Sequence, residues 1–277
     1  MAEITAALVK SFRDRTGLPM MECKKALIEA NGDEELAVEL LRKSGKKTME
    51  KREGRETEAG RIAVCADEAT GITAMVELLC ESAPVAGTDE FGQLIGNIVG
   101  QLAKGPGAKT PEELLAQPVP GNPNRTLQDD YDDLVNKIRE VFKLNRMIRV
   151  ENKCGSYVHH NNGIGVVVEI EGDNTALARD ICMHVASMRP RYVAKDEVDP
   201  AAVAKEKEIL GESVRAENAG KPDMIIEKII EGRLKTFFAE QCLLEQPFVK
   251  EPAKTVGQVA TENGIKVIRM THWVLGQ

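Results

Sequence analysis

The sequence predicts an α+β protein: a small helical module, two related strand-rich halves and a helical hairpin. Three observations carry this. The apolar period is helical up to Gly45 and turns to alternation from Arg61. The order strand, strand, helix occurs over 61–103 and returns over 150–188. Residues 197–241 are helical on both sides of Asn218-Ala219-Gly220-Lys221-Pro222, a helix–helix turn composition.

Taken in order, Thr5 caps a first helix striped by Ile4, Leu8 and Phe12, which stops at Thr16-Gly17. Pro19 opens a second, with Met20, Met21, Cys23 and Leu27, ending at Asn31-Gly32. Asp33 caps a third, expected to bury Leu36, Leu40 and Leu41 and to close at Gly45. Residues 1–45 thus read as a three-helix module. The mixed-charge stretch 46–60 reads as a linker.

A first core half is expected over 61–143. Arg61–Ala66 and Ile72–Cys80 form a hairpin, with Ile72, Ala74, Val76 and Leu78 on one face. A helix over 91–103 follows, then a proline-rich excursion over 104–126. Tyr131, Leu134, Val135, Ile138, Val141 and Phe142 share one helical face. The second half is expected over 144–196, completed by 242–277. Its strands Val150–Val158 and Ile164–Ile170 flank His159-His160-Asn161-Asn162-Gly163, and its helix buries Leu177, Ile181, Val185 and Met188. The hairpin 197–241 follows, and a helix over 255–263 and a strand over 265–275 close the chain. Gly71-Ile72 and Gly163-Ile164 lie 92 residues apart, whereas the following helical stripes lie 83 apart. The difference is nine extra residues around Glu81–Glu90, a weak internal duplication with one lengthened loop.

With 42% hydrophobic residues among 277, most of the chain should pack. No stretch reaches the 18 apolar residues of a membrane span, and Met1–Thr5 has no signal-peptide character, so a soluble, cytoplasmic protein is expected. A net charge of −7 and ten aromatic residues argue against direct nucleic-acid binding. The six cysteines are too widely spaced for a CxxC pair or zinc knuckle.

No nucleophile elbow, P-loop or dinucleotide fingerprint occurs, and no cofactor is called for. His184 lies on an apolar stripe, the position of a satisfied core histidine. His159, His160 and Cys182, with His184, would make a metalloenzyme only if folding gathered them, and surface or interface duty suits His159 better. Cys80-Glu81-Ser82-Ala83-Pro84-Val85-Ala86-Gly87 is a strand–helix connection, or a small apolar wedge offered to a partner; the residues alone leave both open. Met20 and Met21, being consecutive, cannot both face inward.

Four ordered blocks resemble the bacterial elongation factor Ts family, exchange partners of elongation factor Tu. They are 4–45, with Thr16-Gly17, Met20–Leu27 and Ala30–Asp33; Gly155-Ser156-Tyr157 with His159; Gly220-Lys221-Pro222 with Glu231-Gly232-Arg233; and Gln246–Val249 with Val256-Gly257-Gln258. The resemblance implies a ubiquitin-associated-like first module and a protruding antiparallel coiled coil, which can pair with a second copy or lie alone. It implies a guanine-nucleotide exchange factor that meets elongation factor Tu both GDP-bound and nucleotide-free. Partner contacts carried over from it are Arg13, Met20, Met21, Cys23 and Lys24, the loop tip Ser82, Ala83, Pro84 and Val85, then His159 and, more weakly, Asn145. The tip departs from the family, which has Thr-Asp-Phe where this chain has Ser82-Ala83-Pro84. That leaves a second reading, a binding protein that holds the GTPase with weak exchange. The chain also stops at Gln277, where some relatives continue into a further module, so that module's contacts are expected to be missing.

Overall fold

The structure is a computed structural model that describes residues 4–50 and 54–277. Two compact units emerge: Met1–Arg149 with His160–Gly163 and Val274–Gln277, and Val150–His159 with Ile164–Trp273.

The first unit opens with α1 (Ala6–Thr16), α2 (Met20–Glu29) and α3 (Glu34–Glu50). Thr5 Oγ1 accepts from Leu8 N–H, and Gly17 adopts the left-handed conformation that ends α1. Asp33 accepts from the N–H groups of Glu35 and Leu36. Phe12, Cys23, Leu27, Ala37 and Leu41 form the module's core. Two expectations are corrected here. Leu36 is exposed, because Ala37 and Leu41 occupy the inward stripe of α3. Gly45 does not stop α3; its missing side chain admits Asn136, whose Oδ1 would lie 1.6 Å from a Cβ placed there. The linker read at 46–60 lies partly outside the described residues; within them the backbone is helical to Glu50.

The core of this unit consists of β1 (Ala59–Ala66), β2 (Thr73–Cys80), a one-turn helix α4 (Ala83–Ala86), α5 (Asp89–Lys104), α6 (Pro111–Leu115), the small hairpin β3 (Pro118–Val119) and β4 (Asn122–Thr126), α7 (Leu127–Ile138) and β5 (Phe142–Val150). Strand order is β1-β2-β5, so central β2 is buried along its whole length rather than on one face. The helical face of residues 131–142 is corrected as well. Arg139 turns left-handed (φ 66°) and ends α7, and Phe142 begins a strand. Phe142 still reaches the same core, edge-to-face with Phe91 (5.2 Å) and Tyr131 (6.0 Å), which is why the pattern imitates a longer helix.

The second unit repeats the plan with β6 (Cys154–Val158), β7 (Ile164–Glu171), α8 (Thr175–Met188), the helical hairpin α9 (Pro200–Glu217) and α10 (Asp223–Gln241), β8 (Pro247–Phe248), β9 (Glu251–Thr255), α11 (Val256–Glu262) and β10 (Lys266–Val274). Its sheet order is β10-β7-β6. The duplication extends well beyond strand–strand–helix. Ile62 faces Glu77 in one hairpin and Cys154 faces Glu169 in the other, the same register 92 residues on. Each of these glutamates is buried and bridged by an arginine of the third strand, Arg146 to Glu77 and Arg269 to Glu169. The small hairpins also match, Pro118↔Thr126 and Val119↔Asn122 against Pro247↔Thr255 and Phe248↔Glu251. Thr126 and Thr255 each close a capping box on the next helix. The strand read over 150–158 is really the end of β5 and, after a break, β6.

Met188 is exposed, contrary to expectation, at the last turn of α8. In the helical hairpin Val214, Ile226 and Ile230 make a small core, while Ile209, Met224 and Ile225 are exposed. Gly155 lets β6 approach α8, since a Cβ there would lie 2.2 Å from the Ala178 carbonyl carbon.

Candidate functional site

The lengthened loop is the most constructed surface feature. The extra residues are not a loose excursion but the one-turn helix α4 with its two ends tied. Isolated turns of this length do not hold themselves together, so the ties decide the shape. At the start, Ser82 N–H donates to Glu140 Oε2 (3.0 Å) and Ser82 Oγ donates to Glu140 Oε1 (2.6 Å). Below it, Cys80 Sγ donates to the Ser82 carbonyl (3.3 Å). Burial, reinforced by the Glu140 charge, pushes the Cys80 thiol up to about 11, so it stays protonated and keeps that donor. At the far end the Arg61 guanidinium donates to the Ala86 and Thr88 carbonyls. Ala83 and Pro84 are exposed at the crown, Val85 is half-buried and Ala86 packs inward. The tip is therefore small, apolar and fixed.

The second patch is the outer face of α2. Met20 and Met21 are 41% and 63% exposed, so both point outward rather than one. Lys24 is exposed beside them, and Arg13 is exposed on α1. Cys23 is the exception among the expected contacts. It is fully buried, its Sγ within 3.5 Å of Thr16 Oγ1 and 3.6 Å of the Leu18 carbonyl. As folded it presents no surface and instead packs α2 onto α1. Sequence reasoning missed Ile28, which is exposed on the face of Met21 and Lys24. Its signal was the i, i+3, i+7 spacing 21, 24, 28. Glu22, on the same helix, pairs with Arg139 Nη2 at 2.5 Å, the residue next to Glu140.

Asn145 lies at a different kind of place. Its Nδ2 donates to Glu77 Oε2 (2.7 Å), alongside Arg146 and the Gly276 N–H. Burial raises the Glu77 carboxyl, but those donors outweigh it and hold it below the usual carboxylate range. Asn145 thus serves a buried ionic network.

In the second unit His159 is half-buried, its Nδ1 2.9 Å from the Tyr157 hydroxyl, which explains the Gly155-Ser156-Tyr157 block as a platform for that ring. His184 is the satisfied core histidine expected. Its Nδ1 accepts from Val249 N–H (3.3 Å), which leaves Nε2–H to donate to Gln246 Oε1 (2.9 Å). Burial pulls His184 below its ordinary value, against the hydrogen bond to Gln246. Cys182 is buried on the inward face of α8, its thiol pushed up by burial. Among the described residues no group of three or more His, Cys, Asp or Glu side chains is arranged to hold a metal ion. Nor is any described helix long and apolar enough to cross a membrane.

Comparison with known proteins identifies the family. The model of the family described as Elongation factor TS matches residues 84–277. The chain is 40% identical over 277 residues to elongation factor Ts of Thioalkalivibrio sulfidiphilus, covering 99% of this chain and 92% of that one. It is 38% identical over 285 residues to elongation factor Ts of Micrococcus luteus, covering both chains fully. A third relative, from Lactiplantibacillus plantarum, is 36% identical over 281 residues. The class so defined is that of translation elongation factors. Within it, the chain belongs to the elongation factor Ts family.

Proposed function

We propose that this chain is a guanine-nucleotide exchange factor for elongation factor Tu, acting by contact alone. The observation that carries the reading is the clamped tip Ser82–Val85, in the same unit as an exposed Met20–Met21–Lys24 face. A factor of this kind makes and breaks no covalent bond. It accelerates release of GDP only if it grips the nucleotide-free GTPase more tightly than the GDP-bound one, because equal affinity shifts nothing. Linkage makes the effect mutual: bound GDP weakens the factor by the factor's own effect on GDP.

The division of labour follows from the side chains. Ala83 carries no charge and Pro84 is a smaller wedge than phenylalanine. The tip therefore acts by steric intrusion of a stiff turn, and the methionine face supplies apolar binding area. Arg13, Lys24 and His159 add polar contacts, while Cys23 packs the first helical module and Asn145 serves the Glu77 network. Met20 and Met21 suit the contact role because unbranched thioether chains adapt to a partner's surface.

Release of fluorescent GDP from elongation factor Tu, with and without the chain, tests the proposal. Acceleration is expected; tight binding without acceleration would overturn it. That second outcome is the alternative reading, a GTPase-holding protein, and the loss of charge and aromatic ring at 83–84 is what favours it.

A further inference from the structure

The geometry points to Glu140 and Arg61 as positioning residues for exchange, two side chains outside the loop that keep the tip stiff enough to work as a wedge. The inference rests on the exchange reading and deepens it. A tip that brings a carboxylate or a large ring can tolerate some play, since charge acts at a distance and a ring fills space. A tip of Ala83 and Pro84 has shape only, and shape that yields on contact transmits no displacement. Each end of α4 is tied by a side chain from outside the loop. Glu140, in the turn between α7 and β5, takes both the N–H and the hydroxyl of Ser82. Arg61, on β1 opposite Leu78, takes the carbonyls of Ala86 and Thr88. Cys80 Sγ and Ala86 N–H share the remaining Ser82 carbonyl. Glu140 is itself set by Arg139, whose left-handed turn ends α7 and whose guanidinium meets Glu22 of α2.

Neither clamp needs to touch the partner. Their effect should appear in the maximal rate of GDP release, while affinity for the nucleotide-free GTPase, spread over several patches, stays nearly constant. The test titrates full-length chain against the GTPase carrying fluorescent GDP, and separately against nucleotide-free GTPase, with thermal unfolding of each variant alongside. Glu140→Ala is expected to lower the maximal release rate about tenfold and change the affinity less than about twofold. Glu140→Gln, which can still accept from Ser82 N–H, should keep most of the rate. Arg61→Met loosens the other end and should act in the same direction. Unchanged maximal rates in Glu140→Ala and Arg61→Met would overturn the inference alone. So would rate and affinity falling together, or Glu140→Gln falling as far as Glu140→Ala, which would give the role to charge. An unsubstituted chain that fails to accelerate release overturns the exchange reading and the clamps with it.

Discussion

Met21 and Cys23 sit two residues apart on α2 and should respond oppositely to truncation. Met21 is 63% exposed and Cys23 is fully buried. Burying a whole methionine side chain is worth about 1.5–3 kcal/mol. If a partner covers the part of Met21 that water now reaches, Met21→Ala should weaken binding by about 1–2 kcal/mol, or about 5–30-fold in affinity. An exposed substitution of this kind should leave stability within about 0.5 kcal/mol. Cys23→Ala removes a packed sulfur and should cost about 1 kcal/mol of stability, with affinity unchanged once the module is folded. Calorimetric titration against nucleotide-free GTPase and denaturant unfolding give the two numbers for each variant. Affinity loss at Cys23 without loss of stability, or none at Met21, would refute the assignment of contact and support on this helix.

Three further outcomes follow from the same structure. Gly155→Ala would drive a Cβ to 2.2 Å from the α8 backbone and should destabilise the chain by about 1–3 kcal/mol or more in urea unfolding; a neutral effect would show that β6 and α8 can separate freely. His184 and His272 are both pulled down by burial, His272 further by Arg189. The unfolded chain therefore takes up protons below about pH 6.5 that the folded chain refuses, and stability should fall from pH 7 to 5 by up to about 1.4 kcal/mol per pH unit for each group. Unfolding at several pH values checks this, and a flat profile there would contradict it; the loss from Glu77, a carboxyl held low, comes at more acid pH. Ala83→Asp with Pro84→Phe, at two exposed positions, should change GDP release less than about threefold if stiffness carries the wedge; a rise near a hundredfold, about 2.7 kcal/mol, would favour the weak-exchange reading.

The hairpins at β1–β2 and β6–β7 were legible because each has alternating apolar residues around a turn. Thr5, Asp33 and Gly17 announced their caps by residue type alone. The sequence misled where one residue serves two geometries. Phe142 continues the spacing of α7 yet belongs to a strand, because both elements face the same aromatic core. Gly45 looks like a helix stop but is a point of close approach. The second half of the duplication was hidden because β3, β4, β8 and β9 are short and mostly exposed, leaving no apolar alternation to read. For the site, the Met20–Met21 pair revealed an exposed face and Cys23 is buried on the inward stripe of α2 with Ala26 and Leu27, whereas the clamping of α4 depends on partners distant in sequence, Glu140 at Ser82 and Arg61 at Ala86.

The central claim is a difference in grip, and one titration reads it directly. The chain is titrated into elongation factor Tu stripped of nucleotide and into the same protein saturated with GDP. Binding is expected to be at least tenfold weaker in the presence of GDP, about 1.4 kcal/mol, matched by an equal loss of GDP affinity when the chain is bound. Affinities within twofold of each other in the two titrations would contradict it.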